Sequence, residues 1–145
     1  MKKVLAILLV CFAVATAVNA QDKAIGLKLG NGVEISGQMA MGDANRIEAN
    51  LSFNGGLGLS GYYQWVKELP ALGDAWKWYY GGGAGIWLGG GFGLGVGGQA
   101  GLEFDLQSVV PSLPIQLSLD ATPTINIIGG FGFGIGGGLG VRYRF

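Results

Sequence analysis

The ionisable side chains that could carry chemistry in this chain recur in step with apolar residues, one position out of phase. Lys28, Glu34, Arg46, Glu48, Lys77, Glu103, Asp105, Asp120, Arg142 and Arg144 sit in segments where polar and apolar or glycine residues alternate, and all but Arg46, which follows Asn45, have apolar neighbours on both sides. Carboxylates so placed could act as an acid and base pair, or serve as ion-pair partners for Lys and Arg. The chain holds no His and one Cys, Cys11, which excludes a His-based triad, a disulfide and a zinc site of the usual Cys/His kind. No metal is expected. Nine basic residues balance nine acidic ones without a basic cluster, which argues against a nucleic-acid partner. Gly93-x-Gly95-x-x-Gly98 has the spacing of a dinucleotide fingerprint, yet it runs on as alternating strand with no helix behind it. No cofactor is expected either.

The element that must position these groups is the β-strand. From Phe92 the even positions Phe92, Leu94, Val96, Ala100, Leu102 and Phe104 are apolar, while the odd ones are Gly, Gln, Glu and Asp. The same alternation closes the chain, where Phe131, Phe133, Ile135, Leu139, Val141, Tyr143 and Phe145 alternate with glycines, Arg142 and Arg144. Read along its length, the pattern predicts eight strands, at 23–30, 32–41, 45–54, 56–66, 76–88, 92–105, 114–122 and 130–145. None of the ten charged residues named above falls in the apolar phase.

Residues 1–20 read as a cleavable signal peptide: Lys2 and Lys3, an apolar run from Val4 to about Val18, and the small-residue end Val18-Asn19-Ala20. Cys11 lies inside that run behind Val10, where a lipoprotein signal would want a small residue. The domain expected to fold is therefore 21–145.

Charged residues make up 12% of the chain, about half the share of a soluble domain, and 30 residues are Gly. A soluble sandwich also alternates, but its outer face is rich in Lys, Glu and Thr, and here the polar phase is mostly Gly, Ser and Gln. A closed barrel in lipid accounts for the pattern: every backbone group is paired, the uncharged phase meets lipid and the polar phase lines the lumen. The expectation is an all-β, eight-stranded antiparallel up-and-down transmembrane β-barrel. Two other readings fit the pattern less well. A secreted Gly-rich β protein leaves the uncharged phase without a purpose, and a glycine-zipper helix over 81–98 would set many glycines at about 1 kcal/mol each against helix.

With the N-terminus on the periplasmic side, Tyr63, Trp65, Trp76, Trp78, Phe104, Tyr143 and Phe145 collect at one end of the barrel, as a periplasmic aromatic girdle would. With Gly101-Leu102-Glu103-Phe104, Ile115-Gln116-Leu117-Ser118-Leu119-Asp120 and the terminal Tyr143-Arg144-Phe145, the chain resembles the small eight-stranded outer-membrane β-barrels of Gram-negative bacteria, the OmpA/OmpX-like barrels. The resemblance implies location in the cell outer membrane, outer-membrane lipid as the surrounding partner, and an assembly signal at Tyr143 and Phe145 read by the barrel assembly machinery. One departure is plain. Family barrels carry long outer loops, whereas the outer connections here, near Asn31, Asn54-Gly55 and Gly89-Gly90-Gly91, are short, so an adhesin carried on loops is not expected. Enzymes of that membrane typically use a His beside a Ser or carboxylate, and none is present, so no enzyme activity is expected.

Inside the lumen the pattern places a charged cluster of Arg46, Glu48, Lys77, Glu103, Asp105, Arg142 and Arg144 toward the periplasm. Glycines including Gly83, Gly95, Gly132 and Gly134 lie toward the outside. They either relieve crowding around Tyr62, Tyr79 and Trp87 or open a small outward cavity above a charged plug. The hairpin of the fifth and sixth strands is expected to turn about Gly90, setting Lys77 opposite Glu103, Tyr79 opposite Gly101 and Trp87 opposite Gly93. Coupling between Lys77 and Glu103 is expected from that register. The function expected is structural, in support of envelope integrity with a closed lumen; the alternatives are a minor channel or a binding cup for small molecules.

Overall fold

A computed structural model describes residues 23–30 and 32–145. The segment read as a signal peptide lies outside the described residues, as does Asn31. Eight strands follow in chain order: β1 (Lys23–Gly30), β2 (Val33–Ala40), β3 (Asn45–Phe53), β4 (Leu57–Glu68), β5 (Trp76–Leu88), β6 (Phe92–Asp105), β7 (Ile115–Ile128) and β8 (Gly132–Arg144). Each pairs antiparallel with the next, and β8 pairs back onto β1, so the sheet closes into one barrel. The terminal residue completes the seam through its backbone, Phe145 N–H donating to the Lys23 carbonyl at 2.9 Å.

β1, β5 and β6 have the predicted bounds, because turn residues flank strict alternation on both sides. β7 differs most, running six residues past its predicted end at Thr122 to Ile128. Pro123 stands one residue beyond that predicted end, and proline has no N–H for the ladder. The barrel accommodates it where the β6–β7 ladder is interrupted between the Gly97–Thr124 and Ala100–Ala121 pairs, while Pro123 still stands opposite Ile135 of β8. Beyond it the β6–β7 register shifts between Leu94 and Gly95, and Ile127 is the extra residue of the bulge. β4 also runs past its predicted end, to Glu68, which puts exposed Lys67 on the outward phase just beyond Trp65. There its stem can lie along the apolar face with its ammonium in water.

The connections differ at the two ends. At one, β1–β2, β3–β4, β5–β6 and β7–β8 are joined by a few residues each; Gly90 and Gly91 adopt φ of +67° and +139°, which only glycine takes without strain. At the other lie the longer links, with 3₁₀ turns at Pro70–Leu72 and Leu106–Ser108.

Closure imposes a stagger. Partners followed from Ala24 run through Gln38, Glu48, Tyr62, Gly83, Gly97 and Thr124 to Gly134, ten residues short of Arg144, the direct partner of Ala24 on β8. Strand tilt follows from that offset. The β1–β8 ladder ends at Gly30–Gly138, so among the described residues the β8 segment 132–137 has no partner on β1. Phe133 and Ile135 there are correspondingly open, at 69% and 68% exposure.

Burial is inverted relative to a soluble domain. The apolar side chains buried among the described residues are Ala24, Ala75 and Tyr79, whereas the buried polar set includes Lys28, Gln38, Arg46, Glu48, Gln64, Gln99, Glu103, Gln116, Asp120 and Arg142. Leu27, Leu59, Val96, Leu119, Leu139 and Val141 point outward and are exposed. The core is therefore the polar lumen, and the apolar phase forms the outer surface.

Candidate functional site

The lumen network is built around Glu48 on β3, which has no exposed surface. Its Oε2 accepts from Gln38 Nε2 at 2.7 Å, Gln64 Nε2 at 3.1 Å and Arg142 Nη2 at 3.2 Å. Its Oε1 accepts from Asn50 Nδ2 at 3.0 Å, Gln99 Nε2 at 3.2 Å and Lys28 Nζ at 3.4 Å. Six strands thus deliver a donor to one carboxylate, which fills its acceptor sites and sets two cations against its charge. The remaining two strands join through Asp120 of β7, whose Oδ2 accepts from Tyr79 Oη of β5 at 2.8 Å and faces Lys28 Nζ at 2.9 Å. A connected polar plug to which all eight strands contribute occupies the middle of the barrel.

Arg142 and a further cation, Arg46, are fixed around it. Arg142 also donates to Ser36 Oγ and, at 2.7 Å, to Ser118 Oγ. Arg46 donates to Gln64, lies 4.7 Å from the centre of the Tyr79 ring, and brings Nη1 within 2.6 Å of Glu103 Oε2. That last contact is not aligned as a hydrogen bond, and Arg46 Nη2 has no hydrogen-bond partner, so charge rather than directed bonding holds the pair. Arg144 and Asp105 form a separate, part-exposed pair at 2.6 Å.

Of the cluster read from sequence, Arg46, Glu48, Glu103 and Arg142 meet in or against the plug, and Arg144 meets Asp105. Lys77 stands opposite Glu103 in the ladder, with Trp76 opposite Phe104, Tyr79 opposite Gly101 and Trp87 opposite Gly93. Yet Lys77 has no ion pair among the described residues, and Glu103 turns to Arg46 instead. In so narrow a barrel a long side chain reaches the opposite wall, so a partner across the lumen competes with the ladder neighbour. Lys28, Asp120 and the four glutamines were absent from the cluster read from sequence. Their polar phase was visible; their common level was not, because it depends on the stagger.

A double-mutant cycle separates the two partners of Glu103. Truncating Arg46 and Glu103 should give a coupling of about 0.5–3 kcal/mol in detergent unfolding, whereas Lys77 and Glu103 should be additive within about 0.5 kcal/mol. Coupling confined to Lys77 would contradict the cross-lumen geometry.

Both readings of the lumen glycines hold, each at its own level. Beside the plug they make room: a Cβ on Gly101 would lie 2.6 Å from the Tyr79 hydroxyl, and one on Gly138 2.6 Å from Lys28 Cε. Toward the short turns, a Cβ on Gly132 or Gly134 would meet nothing within 4 Å. There the lumen opens into a cup of about 400 Å³, with Lys28, Asn50 and Asp120 at its floor and Glu34, Tyr62 and Trp87 on its walls.

At the end with the longer connections the outer face carries Tyr, Trp and Phe side chains as contacting groups, while Phe53, Phe92, Phe131 and Phe133 are exposed at the short-turn end. Tyr63 and Trp65 meet edge to face at 5.0 Å, Trp65 and Trp78 each stack on Tyr80, and Trp76 meets Phe104 at 5.0 Å. Tyr143 and Phe145 stack at 6.4 Å beside the seam. Aromatic rings gathered at one level are what a membrane interface favours, since their edges tolerate water and their faces tolerate hydrocarbon.

The class that this geometry defines is a closed eight-stranded antiparallel up-and-down β-barrel with a polar lumen. No family model matches the chain, and no curated protein or solved structure matches it.

Proposed function

We propose that the chain is an integral outer-membrane β-barrel whose role is structural support of the cell envelope, with a lumen closed to ions. The observation that carries this reading is the inverted burial: leucines, valines and isoleucines point outward from a barrel whose interior is charged. Such a surface is stable against lipid and unstable against water. The outward Tyr and Trp residues grouped at one end support the same placement. On this reading the cleaved leader is residues 1–20, lipid is the standing partner, and Tyr143 and Phe145, at the seam with β1, are what the assembly machinery reads. The barrel is related in design to OmpA/OmpX-like proteins and is not an enzyme. A second reading, a binding cup, is favoured over a channel by the plug beneath the cavity.

The test is fractionation of the expressed protein, gel mobility before and after boiling, and recording in planar bilayers. The expected result is an outer-membrane protein that shifts on boiling and produces no unitary conductance steps. A soluble periplasmic protein would overturn the membrane reading, and steady conductance would overturn the closed lumen.

A further inference from the structure

Three charged side chains line the cup: Lys28, Glu34 and Asp120. Glu34 stands opposite Lys28 in the β1–β2 ladder, but the ammonium of Lys28 turns into the plug, 2.9 Å from Asp120 and 3.4 Å from Glu48. Glu34 is left without an ion pair or hydrogen bond among the described residues, a half-buried carboxylate facing the cavity. Two floor residues also hold an idle acceptor. Asn50 and Asp120 are 2% and 6% exposed, and Oδ1 of each has no hydrogen-bond partner. On the wall, Trp87 lies against Gly58, Gly93 and Gly95 and keeps 43% of its surface open, with the Tyr62 ring in the same cavity.

The cup therefore offers a carboxylate without a direct partner among the described residues, acceptors without donors, and aromatic rings. An anion would meet Glu34, and a neutral polyol would leave its charge unmatched. A cation bearing N–H groups answers all three features, through charge, hydrogen bonding and attraction to the indole face. The volume is at the small end for ligand sites. We propose that the cup binds a small organic cation carrying a primary ammonium or guanidinium group, with Glu34 as its counter-ion and Trp87 against its alkyl stem. This goes beyond the envelope role and needs only the closed barrel, so its failure in a correctly folded barrel leaves that role standing.

The experiment is titration of the refolded, heat-modifiable barrel in detergent with butylammonium, followed by calorimetry and tryptophan emission, beside 1-butanol and glucose at the same concentrations. Saturable binding of butylammonium is expected, with none for the uncharged alcohol or the sugar. Glu34→Gln should weaken it at least tenfold, and Trp87→Phe should remove the emission change. Gly134→Leu, whose side chain grows into the open space of the cup, should narrow it and weaken binding while the barrel keeps its gel shift. Butanol or glucose binding as well as butylammonium, affinity unchanged in Glu34→Gln or Gly134→Leu, or no saturable heat in the native barrel would each overturn the proposal.

Discussion

Replacing Glu48 by Ala should destabilise the folded barrel by about 3–5 kcal/mol, the cost of breaking a buried ion pair from one side. The carboxylate is the single acceptor on which Lys28, Gln38, Asn50, Gln64, Gln99 and Arg142 converge. Its loss strands Arg142 with neutral serines and leaves Lys28 with Asp120 alone. Denaturant unfolding in detergent, read by tryptophan emission, measures the effect. Glu48→Gln should fall between Ala and the native protein, since the amide keeps one acceptor and the shape but drops the charge. Lys77→Ala, with no ion pair to break among the described residues, should stay within about 0.5 kcal/mol. A loss below about 1 kcal/mol for Glu48→Ala would mean that water, not protein, satisfies the lumen.

The second large effect lies on the other face. Leu119 points outward at 60% exposure, between the aromatic end and the short turns. Arg in its place should cost about 2–4 kcal/mol of insertion free energy, because the cation must be held in hydrocarbon or drawn away from it. Thr124→Arg on the same strand, in the inward phase and lining the cup, should escape that penalty. Folding yield into lipid vesicles, scored by gel shift, compares the two. Equal loss at both positions would show that the outward face does not meet lipid.

The same alternation that supports these two predictions explains how far the sequence reaches. A period of two assigns every side chain to a face, so the polar lumen and apolar exterior were legible from residues such as Leu94, Gly95, Val96 and Gly97. Local turn chemistry settled the β5–β6 register about Gly90, because a tight glycine turn leaves the flanking strands one way to keep both faces in phase. Neither signal measures height around the closed barrel. That height is set by the ten-residue stagger, which brings Lys28 level with Glu48 and Asp120 and lets Arg46 reach Glu103 ahead of Lys77. Pro123 marks the same boundary: locally it reads as an end, and only the gap in the β6–β7 ladder lets β7 continue through it. The sequence by itself determined strand content, facing and hairpin order, since those rest on neighbours along the chain. Partner choice in the lumen and the open cup above it were decided by closure, which joins residues far apart in sequence through a stagger that no single segment encodes.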